Sequence, residues 1–100
     1  VLVGGPTDAE GADILLRRLR GVMVARRYVL IDYDLPARLV DEAVGIAPGI
    51  EPLTISPLRD PEWVAVRVMS PRKGVNQVMD ALYAIGARAI LVTEIHAARL

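Results

Sequence analysis

The sequence predicts an α+β fold: a ferredoxin-like βαββαβ sandwich preceded by a long N-terminal helix. Two observations carry this. The chain reads as two similar halves, each an apolar strand, a Pro-opened helix and a Gly-led apolar strand: YVLIDYDLP to PGIEPLTIS, then WVAVRVMSP to ARAILVTEI. A doubled unit of this size is the pattern of a split βαβ sandwich. The chain is also 100 residues long with 53% hydrophobic residues, enough for one core and one ordinary domain.

Taken in order, Thr7 and Glu10 form a capping box, with Thr7 as N-cap. Ala12, Leu15, Leu16 and Leu19 follow at helical spacing, and Arg17, Arg18 and Arg20 come where cations favour a helix C-terminus. The spacing predicts a helix over 8–25, with Gly21 either ending it or weakening it. Residues 27–33 read as the first strand. Asp34 is the candidate N-cap of a second helix, with Pro36 at an early helical position and Pro48-Gly49 at its end. Strands are predicted at 50–56 and 62–70, joined by the turn-rich segment PLRDP. A helix over 74–85 carries Val75, Val78, Met79, Leu82 and Ile85, with Gly86 just past its end. The last strand spans 88–95.

Strand alternation sorts these residues into two faces. Val29, Ile31 and Tyr33, Leu53 and Ile55, Val64, Val66 and Val68, and Ile90 and Val92 form β-rich sets expected to face the helices. The opposite parity collects Leu30, Asp32, Asp34, Thr54, Ser56, Ala65, Arg67, Met69, Ala89, Leu91 and Thr93. A mixed face of this kind on a one-sided sheet is commonly covered by a ligand or a partner.

Composition narrows the chemistry. Twelve basic residues balance twelve acidic ones, which argues against a nucleic-acid-binding or membrane-surface protein. With no cysteine there is no disulfide and no thiolate metal site. The apolar runs are strand-length, far short of a membrane span, and a cytoplasmic setting is the default expectation. The single histidine, His96, has no partner at metal-ligand spacing and reads as a surface residue. Asp32 and Asp34 share a strand face, but two carboxylates alone seldom make a catalytic or metal site. Arg17, Arg18, Arg20, Arg26 and Arg27 read as a solvated or intersubunit helix face, and Trp63 as a core-edge or subunit contact. No nucleophile, base and cofactor set for a free-standing enzyme is present. The opening VLVGG, an apolar run without an initiator Met, points to a piece of a larger protein.

The run GVMVARRYVLIDYDLP, the P-G-[IL]-E-x-[PL]-T-[IV]-x-P-L segment and the D-P-[DE]-W-V-A-[VI]-R segment resemble the C-terminal end of long-form ATP phosphoribosyltransferases, over residues 15–100. Those glycosyltransferases catalyse the first step of histidine biosynthesis. The resemblance implies that residues 1–26 are the tail of an upstream catalytic domain plus a connector helix, with residues 1–3 its last strand. It implies that residues 27–100 are an ACT-like regulatory domain binding L-histidine for allosteric feedback inhibition. Catalytic residues and the family's magnesium would belong to the upstream domains, so this stretch is expected to hold no cofactor and to be inactive alone. The family's assembly is a hexamer, which implies a homo-oligomer.

Carried over by position, the family's histidine contacts correspond to Asp34, Ile50, Thr54, Met69 and Ala89. Four of these, all but Ile50, belong to the mixed sheet face. By their chemistry, Asp34 is expected to pair with the α-ammonium or a protonated imidazole, Thr54 to hydrogen-bond a polar group, and Ile50, Met69 and Ala89 to line an apolar wall. The competing expectation is a structural module whose mixed face and long helix serve only to join subunits.

Overall fold

A computed structural model describes the backbone of residues 6–100 and the side chains from residue 10 onward. The expected strand at residues 1–3 and the Thr7 side chain of the capping box lie outside the described residues. Helix α1 (Pro6–Arg27) leads into strand β1 (Tyr28–Pro36), a single 3₁₀ turn (Ala37–Leu39) and helix α2 (Val40–Ile46). Strands β2 (Thr54–Pro57) and β3 (Trp63–Pro71), helix α3 (Val75–Ile85) and strand β4 (Arg88–Glu94) complete the order. The four strands form one antiparallel sheet in the order β2-β3-β1-β4, the α+β sandwich expected from the doubled pattern.

The core lies between one sheet face and the α2–α3 pair. Alternation along β1 buries Val29, Ile31, Tyr33 and Leu35, and on β3 it buries Val66 and Val68. Cross-strand pairing stacks Ile31 on Val68 and Tyr33 on Val66. Ala43 of α2 and Leu82 of α3 close the core from the helix side, with Val75, Val78 and Ile85 packed around them at i, i+3 and i+4 spacing. Two residues expected in this layer are not in it: Ile55 and Val92 are 46% and 37% exposed. They sit on the two outer strands, and a 7-residue and an 11-residue helix cover only the middle of the sheet.

Asp34 is not a helix N-cap. It is paired within β1, whose ladder with β3 continues to Pro36 opposite Trp63, and the Ala37 amide then donates to the Glu62 carbonyl at 2.7 Å. Pro36 adopts an extended conformation (φ −55°, ψ 131°), compatible with a strand end, so helix formation waits until after it. The second helix is correspondingly short. Strand β2 begins at Thr54 rather than residue 50. Pro52 has no N–H to give to a ladder, and from the 50–53 segment the Ile50 amide reaches Met69 O at 3.4 Å.

Gly21 neither ends nor interrupts α1. The chain after β4 crosses the helix there, and a Cβ on residue 21 would collide with the Ala98 carbonyl oxygen. Close backbone approach, rather than helix termination, is what requires glycine. Upstream of this crossing, residues 10–20 are all exposed, and the molecule measures 58 × 26 × 20 Å because α1 projects from the sandwich.

Tyr33 presents one inconsistency within the core. It is 1% exposed, and its hydroxyl has no hydrogen-bond partner among the described residues. Leaving a buried hydroxyl unpaired costs about 1–3 kcal/mol, so Tyr33→Phe is expected to be neutral or stabilising by about 1 kcal/mol in urea denaturation. Burial also pushes the phenol above its usual value of 10.0. The folded form therefore keeps its proton where the unfolded chain loses it, and stability falls as pH rises past 10.0. The Phe variant should lose that part of the alkaline slope. A destabilised Phe variant with an unchanged slope would contradict both expectations.

Candidate functional site

Among the described residues nothing covers the sheet face opposite α2 and α3, and its middle forms a concavity of about 450 Å³. Its side walls come from all four strands: Asp32 and Asp34 of β1, Thr54 and Ser56 of β2, Ala65 and Arg67 of β3, and Ala89 and Leu91 of β4. These eight residues come from the opposite-parity set, because alternation that sends Ile31, Tyr33 and Leu35 inward sends Asp32 and Asp34 outward. The antiparallel registers then align them in rows across the sheet. Asp32 faces Arg67, which faces Thr54; Asp34 faces Ala65, which faces Ser56.

Charge is arranged asymmetrically in this concavity. Arg67 Nε donates to Asp32 Oδ1 at 2.8 Å, and that hydrogen bond and the carboxylate's charge hold the guanidinium above its usual pKa. Both Nη groups of Arg67 remain outside that bond. Asp34 is half-buried and is in no ion pair among the described residues. The concavity thus offers one uncommitted carboxylate and one guanidinium with donors to spare, flanked by the hydroxyls of Thr54 and Ser56. A small zwitterion, anionic at one end and cationic at the other, matches that set.

Strand β4 bends around this site. Its register with β1 runs Asp32 to Leu91 and then Asp34 to Arg88, so Tyr33 alone spans Ala89 and Ile90. This is a β-bulge, and Ala89 within it has φ +54°, a left-handed conformation that alanine adopts at a cost of about 1–2 kcal/mol. Such strain persists where surrounding structure over-determines it, and it clusters at ligand sites.

Of the five residues carried over from the resemblance, Asp34, Thr54 and Ala89 line the concavity, while Ile50 and Met69 do not. Met69 lies two residues beyond Arg67 on the same face of β3, and Ile50 is held beside it through its backbone amide. They flank the concavity at one end. The Asp32–Arg67 pair is the element that sequence reasoning left unassigned. Both residues carried the right parity, but only the β1–β3 register makes them partners. His96 is exposed, two residues past the end of β4, and does not line the concavity. Among the described residues no group of three or more His, Asp or Glu is placed to hold a metal ion, and no helix is long and apolar enough to cross a membrane.

Residues 25–97 match the protein family described as HisG, C-terminal domain. The chain is 57% identical over 99 positions to an ATP phosphoribosyltransferase of Pseudarthrobacter chlorophenolicus, covering 97% of this chain and 35% of that protein. It is 59% identical over 92 positions to that of Paenarthrobacter aurescens, covering 92% of this chain and 32% of the relative. For the Streptomyces avermitilis enzyme the identity is 55% over 102 positions, covering 98% and 35%. The chain spans about a third of the length of these relatives.

Proposed function

The chain belongs to the HisG C-terminal domain family, and from that premise we propose that it is the regulatory part of an ATP phosphoribosyltransferase, binding L-histidine on the open sheet face. The observation that carries this reading is the concavity itself, with the uncommitted Asp34 carboxylate and the Arg67 guanidinium on one surface. L-Histidine is a zwitterion with a second, titratable nitrogen heterocycle. Asp34 would take the α-ammonium or a protonated imidazole as a charge-assisted hydrogen bond, and Thr54 a further polar group. Arg67 would offer its free Nη groups to the α-carboxylate. Ala89 and Leu91 would line an apolar wall, with Met69 and Ile50 at its margin.

Feedback inhibition on this reading is ordinary linkage. L-Histidine must bind the inactive arrangement of the whole enzyme more tightly than the active one, and a coupling of about 1–3 kcal/mol suffices. Phosphoribosyl transfer, its magnesium and its substrates would be handled by the rest of a full-length enzyme, in its hexamer.

Calorimetric titration of the chain with L-histidine, with another amino acid as control, tests the reading. Selective saturable binding is expected, and Asp34→Ala should weaken it about ten- to a hundredfold, the worth of one hydrogen bond to a charged group. Asp34 lies outside the core, so the variant should keep its fold. Unchanged affinity in that variant would remove Asp34 from the site.

A second reading is favoured by a separate observation. Leu15, Leu16, Leu19, Val22 and Met23 of α1 are each about half exposed, an apolar stripe of the kind that marks an interaction surface. On that reading the chain is an assembly module, and it would self-associate without binding L-histidine.

A further inference from the structure

A helix ends with backbone carbonyls that have no donor within the helix. At the end of α1 three of them are met by one residue 45 or more positions away in the sequence. The Arg72 amide donates to the Arg27 carbonyl at 2.7 Å, its Nε to the Arg26 carbonyl at 3.0 Å and its Nη2 to the Ala25 carbonyl at 3.4 Å. The remaining guanidinium nitrogen, Nη1, donates to Glu94 Oε1 at 2.6 Å. Arg72 follows the last residue of β3 and Glu94 is the last residue of β4. One planar fork therefore ties the end of α1 to the ends of two strands, and its charge also complements the negative end of the helix dipole.

Further up the helix lies a second point of support. The segment after β4 passes over Gly21, where an added Cβ would strike Ala98 and lie 2.9 Å from Arg99 Nη1. Gly21 is buried there, whereas residues 10–20 stand clear of the sandwich. Both supports act on the C-terminal part of α1: the first comes from the residue after β3, braced by Glu94 of β4, and the second from the segment after β4.

We infer that Arg72 is the positioning residue of a joint that fixes the direction in which α1 leaves the sheet, with the segment over Gly21 as its second support. Of the 22-residue helix, the part beyond the Gly21 support, residues 6–20, makes an arm of about 22 Å. Whatever is attached at the far end of that arm is oriented by this joint. The assignment stands whether or not the concavity takes L-histidine.

The chain has no cysteine, so a spin-label pair can be introduced cleanly as Arg18→Cys on α1 and Asp80→Cys on α3, both exposed. Pulsed dipolar spectroscopy on this pair should give one narrow distance distribution. Arg72→Ala should replace it with a broad one, while thermal unfolding of the sandwich stays cooperative. Arg72→Lys should also broaden it, because a single ammonium cannot serve Ala25, Arg26 and Glu94 at once in a fixed fork. Glu94→Gln should leave it narrow, since the carbonyl contacts survive. A narrow, unshifted distribution in folded Arg72→Ala overturns the joint. Should that variant fail to fold, the same result in Arg72→Lys overturns it equally.

Discussion

Gly49→Ala is expected to destabilise the domain by about 2–5 kcal/mol, the sum of a left-handed alanine and an overpacked core contact. Gly49 has φ +76°, where any L side chain is strained, and its missing Cβ is not a spare volume. A methyl group there would lie 2.7 Å from Val68 Cγ2 and 3.2 Å from the carbonyl oxygens of Met69 and Glu51. Val68 is 2% exposed and packed in the core, so it has nowhere to retreat. The strain would also disturb the 3.4 Å bond from the Ile50 amide to the Met69 carbonyl, which holds the 50–53 segment against β3. Urea denaturation checks this through the midpoint. A shift worth less than about 1 kcal/mol would mean that the turn relaxes freely and does not anchor the segment before β2.

The second large effect is expected at Ile31. It is fully buried in β1, with Val68 opposite on one side and Val92 on the other. Ile31→Ala should cost about 2–5 kcal/mol through lost transfer energy and the cavity left behind, and Ile31→Val about 0.5–1.5. Domains of this size have total stabilities at the low end of about 5–15 kcal/mol, so the alanine variant should be close to unfolding at room temperature. Thermal unfolding followed by circular dichroism reads both. Equal losses in the two variants would show that the site collapses around the smaller side chain. The same strand carries Asp32 and Asp34 on its other face, so a loosened core should also loosen the concavity.

Much of this molecule was legible in the residues because alternation and helical spacing are local. The period-2 pattern of YVLIDYDLP and WVAVRVMSP separates Ile31 and Val66 from Asp32 and Arg67 without knowledge of any partner strand. The i, i+3, i+4 spacing of Val75, Val78 and Leu82 does the same for α3. What local pattern misjudged were positions where a distant segment intervenes. Asp34-Leu35-Pro36 reads as a helix start by its own chemistry, yet pairing with Trp63, Val64 and Ala65 keeps it extended. Gly21, which local spacing leaves as either an end or a weak point of its helix, is instead a seat for backbone some 77 positions later, at Ala98.

The sequence by itself determined the sandwich, the two faces of its sheet and the family to which the chain belongs. These follow from periodicities within single elements and from residues adjacent in the chain. Tertiary structure alone decided the rest. Strand register brought Asp32 to Arg67 and left the Asp34 carboxylate without an ion pair among the described residues; the bulge at Ala89 shaped the concavity; and Arg72 closed the end of α1. Each depends on which backbone lies beside which across 35 or more residues. No local spacing encodes that, because register is chosen by the packing of the whole sheet.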